Sequence, residues 1–116
     1  MSRAIENIED KIRKYAECHA VASKNGDYRE ANRNYDKLAM LLSKLRATHD
    51  KGEGILLRLM KDRSDAVSMW AATQSLPIAE KEALATLEAV VARGGIIGLD
   101  AEMVIKEWKS GRLTIR

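Results

Sequence analysis

Cys18 and His19 stand side by side, and a thiol next to an imidazole is a pairing that could make a nucleophile. Successive residues on a helix point about 100° apart, so these two do not face each other. Cys18 reads instead as a buried small hydrophobe beside a half-buried histidine. His49 is the other histidine and falls in a loop-like stretch, so no set of three His and Cys ligands stands at zinc spacing. Glu102 and Glu107 could be a general acid and base only if both entered one depression. Their five-residue step turns them apart, and with Lys106 and Lys109 they read as a solvated helix face. "GGIIG" (Gly94 to Gly98) could cradle a phosphate, but it follows a helical pattern and has no anchoring lysine or hydroxyl. It reads as a helix stop and a tight turn. No catalytic constellation, metal site or cofactor site is expected.

Recognition is the remaining class. Arg29, Arg33 and Lys37 recur at four-residue steps, with Lys44 further on and Tyr28 and Tyr35 nearby. Such a stripe could meet a phosphate backbone. Glu30 and Asp36 dilute its field, and the tyrosines belong to the apolar periodicity. Across the chain 20 Lys and Arg stand against 17 Asp and Glu, interleaved through both halves, so the pI of about 9.1 marks no basic arm. Nucleic acid is therefore the weaker alternative to a protein partner. "KIRK" (Lys11 to Lys14) follows Glu6, Glu9 and Asp10, as on a solvated helix face with an Asp10–Lys14 pair.

The elements that must position these residues are helices. The chain has 116 residues, one proline and no phenylalanine, and is rich in Ala, Leu, Glu, Lys and Arg. One all-α domain over residues 1–116 is expected. No apolar run reaches membrane-spanning length, no secretory leader is visible, and one cysteine excludes an internal disulfide, so a cytoplasmic protein is expected. Ile5, Ile8, Ile12, Tyr15, Ala16 and His19 mark the first helix, about Arg3 to Lys24. Gly26 stops it, and "DYRE" (Asp27 to Glu30) is a capping box for the second. There Tyr28, Ala31, Tyr35, Leu38, Leu42 and Leu45 point inward.

"THDKGEG" (Thr48 to Gly54) reads as a linker between this N-terminal hairpin (1–48) and two further hairpins (53–111). A third helix covers about Glu53 to Lys61. A fourth runs from about Asp65 to Ser75, capped by Ser64 or Asp65, with Val67, Ala71, Ala72 and Leu76 inward. The fifth covers about Ala79 to Arg93, with Ala83, Leu84, Leu87, Val90 and Val91 inward. The sixth covers about Leu99 to Lys109, with Ala101, Val104, Ile105 and Trp108 inward, and Gly111 ends it. Six helices in three antiparallel hairpins make a short α-solenoid or bundle. Small residues such as Ala71 let the axes approach, and Trp70 and Trp108 can then seal the seams.

The segments "NRNYDKL", "DRSDAVSMWAATQSL", "EALATLEAV" and "LDAEMVIKEWKSGRL" occur in this order. Together they resemble a bacterial domain-of-unknown-function family of small HEAT-like helical proteins, over roughly Glu30 to Leu113. The resemblance implies a compact helical protein that is not an enzyme and that offers a binding surface. Immunity and antitoxin partners are the analogues it suggests. HEAT-like repeats commonly carry arginine after the valine of the second helix. Ser68 stands there instead, so the usual ion pair to an aspartate of the turn is in doubt. If the second helix of each hairpin lines one side, Arg29, Asn32, Arg33, Asp36, Ser68, Met69, Thr73, Glu102 and Lys106 share a surface of mixed polarity suited to a protein partner. Oligomeric state is left open.

Overall fold

In the computed structural model the described residues are 3–115, without the side chains of residues 3–7, 49 and 50. They form six helices: α1 (Arg3–Lys24), α2 (Tyr28–Ala47), α3 (His49–Leu59), α4 (Asp65–Ser75), α5 (Glu80–Arg93) and α6 (Gly95–Lys109). Neighbours in sequence pack antiparallel, as the hydrophobic periodicity requires. Ile5 of the predicted stripe lies outside the described side chains, while Ile12 and Ala16 are fully buried.

Local chemistry fixes the turns. Gly26 sits at φ +73°, where a side chain is disfavoured, and the Asp27 N–H reaches back to the Ala22 carbonyl at 2.8 Å. That closure uses the Asp27 N–H, so only half of the capping box forms. The Asp27 carboxylate accepts from the Glu30 N–H at 3.2 Å, and the Glu30 side chain turns to Arg33 at 3.0 Å. Ser64 caps α4, accepting from the Val67 N–H at 3.3 Å. Gly111 closes α6 as Gly26 closes α1, with the Arg112 N–H on the Glu107 carbonyl at 2.9 Å.

Two boundaries differ from the sequence reading. "THDKGEG" is not a linker: after a one-residue turn at Thr48, α3 begins at His49. Gly52 is there for packing, because a Cβ would sit 1.7 Å from the Leu45 carbonyl oxygen of α2. Likewise α6 begins at Gly95 rather than near Leu99, so Ile96 and Ile97 are helical. Gly94 and Gly95, at φ +81° and +75°, turn the chain, and Gly98 brings α6 close to the Val90 carbonyl of α5.

Packing is centred on α4, which touches every other helix. Its Val67, Ala71, Ala72 and Leu76 are buried as expected, with Ile55, Leu56, Leu59 and Met60 of α3 in the same core. α1 reaches across to α4 and α6, drawing the first hairpin onto the last. The radius of gyration is 13.3 Å. A globule of this length should have about 13 Å, so the stacked hairpins close on themselves. Trp108 seals the α5–α6 seam, its indole N–H donating to Glu80 at 2.7 Å. The buried polar residues Asn34, Ser68 and Ser75 each donate to a carbonyl three or four residues earlier, so none is left unpaired.

Charge ties α1 to α3. Arg13 donates to Asp62 in the α3–α4 turn at 3.0 Å and lies near Glu9 and Asp10. The Asp62 hydrogen bond, with these carboxylates, raises the Arg13 pKa against the opposing effect of burial. Arg58 of α3 also binds Glu9. "KIRK" is thus not merely a solvated face: Asp10 pairs with Arg13 rather than Lys14, which lies over the Tyr15 ring. Asp65, at the start of α4, also finds a cation, since Arg93 of α5 donates to it at 2.8 Å.

Candidate functional site

α4 has little free surface because five helices surround it, and this overturns part of the expected partner face. Ser68 is 2% exposed and its hydroxyl is used on the Asp65 carbonyl, so it presents nothing. An arginine could not stand in its place without breaking the core. Met69 is buried too, although its edge floors a groove. Glu102 and Lys106 face the opposite side of α6, lining a cleft against α5 with Glu88 and Arg112. Arg29, Asn32, Arg33 and Asp36 are exposed along α2. Of the nine residues, Glu102 and Lys106 share the cleft against α5, while Met69 and Thr73 meet in a separate groove.

That groove is organised by Trp70. Its half-buried ring meets the edge of His19 from α1 at 5.3 Å and of Tyr35 from α2 at 5.4 Å. Both contacts are edge-on, the geometry that aromatic quadrupoles favour. The tyrosines were expected on the buried face, yet Tyr28 and Tyr35 are exposed, Tyr35 leaning only on Trp70. Around the three rings stand Met103 and Val104 of α6 and Leu113 and Ile115 of the C-terminal tail, enclosing about 390 Å³. Arg46 of α2 holds the tail there, donating to the Ile115 carbonyl at 3.2 Å and to Gln74 at 3.1 Å.

The groove continues along the seam between α1 and α6. A crevice of about 10 Å³ at His19, Trp70 and Asp100 joins it to a second opening of about 410 Å³ beside Val21, Gly94 and Ile96. The crevice has room for about one water. Ile96, Leu99 and Met103 form a stripe of three- and four-residue steps on the exposed face of α6; Leu99 is 66% and Met103 57% exposed. Late recognition of the α6 start hid this stripe from the sequence reading. Seen with a helix beginning at Gly95, its spacing is legible.

The electrostatics of the seam are simple. Burial among apolar neighbours lowers the His19 pKa, against the opposing pull of Asp100, so the imidazole is neutral at pH 7. Burial likewise raises Asp100, against His19. Asp100 makes no ion pair among the described residues. The Thr73 hydroxyl is committed to the Met69 carbonyl at 2.8 Å. What the site offers is apolar area, aromatic edges and one uncompensated acid. Cys18, expected to be buried, is exposed. His49 opens α3, with its side chain outside those described. Among the described residues no three His, Cys, Asp or Glu side chains are placed to hold a metal, and no helix is long and apolar enough to cross a membrane.

Neither a protein-family model nor a curated protein matches the chain. Among solved structures it is similar to the protein RPA1889 from Rhodopseudomonas palustris CGA009, with a TM-score of 0.83 over 96% of this chain and 93% of that one, at 21% identity. At that identity the likeness establishes the fold: a small all-helical architecture shared with a bacterial protein, almost from end to end.

Proposed function

We propose that the chain is a non-enzymatic protein-binding module, an immunity, antitoxin or regulatory type of partner that acts by covering another protein's functional surface. One observation carries this reading. Val21, Tyr35, Ile96 and Met103, all large, apolar and exposed, line two openings of the α1–α6 seam, and Leu99 stands exposed beside them on α6. Scattered exposed hydrophobes are ordinary, but a contiguous strip rimmed by polar groups is the usual mark of an interaction site. The resemblance to small HEAT-like helical proteins agrees with it, and the choice among immunity, antitoxin and regulatory roles rests on fold-level analogy. The test is a tagged pull-down from host lysate with and without nuclease. One stoichiometric protein that survives nuclease is expected. Absence of any partner at micromolar concentration would defeat the proposal.

The second reading is a nucleic-acid module using Arg29, Arg33, Lys37 and Lys44, all exposed on α2. Arg33 is engaged by Glu30 at 3.0 Å and Lys37 lies over the Tyr15 ring at 5.1 Å, which weakens the stripe. Steeply salt-dependent binding to DNA or RNA, lost in Arg33→Glu, is the result this reading requires.

A further inference from the structure

The α1–α6 seam has more character than apolarity. Ile96 and Met103 line it from α6 with Leu99 exposed between them, and the three follow the pitch of a helix over eight residues, about 10 Å of axis. Such a stripe is matched by about two turns of another amphipathic helix laid alongside. Asp100 borders it toward α1 and α4, while on the α5 side Glu102 shares its cleft with Glu88, Lys106, Lys109 and Arg112, so the seam's own acid is Asp100. The central groove contains no basic side chain other than neutral His19, because Arg46 is held by Gln74 and the tail. Lys24 stands only at the far opening, and Lys106 one turn beyond Met103.

We propose that this seam is the docking groove for an amphipathic helix of a partner protein, one that carries lysine or arginine beside its apolar stripe. The inference rests on the reading that the chain binds a protein, and it adds the surface and the chemistry of the partner. An apolar anchor enters over Trp70 between Tyr35 and Met103. The flanking cation meets Asp100, an exposed acid that has no ion pair among the described residues. An acidic helix of the same apolar pattern is repelled there.

The experiment uses the full chain and two synthetic amphipathic helices of about five turns with identical leucine stripes, one flanked by lysine and one by glutamate. Binding is followed by nuclear magnetic resonance at the Trp70 indole N–H and the Met103 methyl group. The lysine-flanked peptide should bind saturably and shift both signals. The glutamate-flanked one should bind at least about tenfold more weakly, the scale of one well-placed charge pair. Asp100→Asn should narrow that gap. Leu99→Lys, at an exposed position, should abolish binding while the helical circular dichroism is unchanged. Equal affinity for the two peptides, shifts confined to α2, or no saturable binding by either would overturn the proposal. If a stoichiometric partner is nonetheless recovered from lysate, the protein-binding reading stands and only the groove assignment falls.

Discussion

Near its start α1 is fastened by charge: Arg13 donates to Asp62, and Arg58 of α3 binds Glu9. Two turns later the same helix faces an unfilled seam, where His19, Ala20 and Val21 look across at Ile96 and Asp100. α1 meets α2 over most of its length but touches α6 only briefly. At the fastened end Glu9, Arg13, Arg58 and Asp62 find partners within the chain. The open end leaves an acid without a cation and a row of apolar side chains without a cover. The partner proposed above would cover that open end.

The comparison breaks most visibly if α3, which carries Arg58 to the fastened end, is forced off α2. Gly52→Ala places a Cβ 1.7 Å from the Leu45 carbonyl oxygen, which has no flexible side-chain end to yield. α3 must move off α2, at a cost of about 3 kcal/mol, the upper part of the range for overpacking. Urea denaturation should show the lowered midpoint, and amides of α3 should exchange faster. A midpoint equal to the unmodified chain would mean that α3 is not held against α2 in this way.

Arg13→Met keeps the stem and removes the charge. Asp62 then loses its cation, although it still accepts from the Ser64 N–H at 3.1 Å. A loss of about 1 kcal/mol is expected, because the pair is partly exposed and screened. It should shrink in high salt. At the open end Leu99→Lys should change stability by less than about 0.5 kcal/mol, since the side chain lies in solvent. A loss like that of Arg13→Met would show that the seam is structural and would erase the contrast between the two ends.

Much of the fold was legible because period and caps agree: Arg3–Lys24 and Asp65–Ser75 carry both a stripe and a stop signal. Glycine was the main source of error. In "THDKGEG" and "GGIIG" its usual meaning is a turn, but Gly52 and Gly98 are helical and permit close approach to a neighbouring backbone. The partner face was less legible. Exposure of Ser68 and Met69 cannot be judged from periodicity when a helix is surrounded on all sides, since every face of α4 has a neighbour. Tyr35 was assigned inward by its period, and only the position of Trp70 shows it standing at a groove edge. Such a groove is made by four helices and the C-terminal tail, and no local pattern records it.

The finest test of the contrast is acid titration of the open end. Burial depresses His19 in the folded protein below its ordinary 6.5. As pH falls through 6.5 the unfolded chain takes up a proton that the folded one resists, so stability declines until the lowered folded value is passed. Burial raises Asp100 above its ordinary 3.8. The folded chain therefore takes its proton first, and stability is partly recovered as pH falls from the raised value toward 3.8. Arg13, whose pKa is raised by Asp62, stays charged throughout this range. Denaturation midpoints should thus fall slightly below neutrality and level off in the carboxylate range. His19→Gln should remove the decline, and Asp100→Asn the recovery, while raising the midpoint slightly at pH 7. If neither variant alters the profile, the seam is solvated like ordinary surface, and Asp100 has no unmet need for a partner's cation.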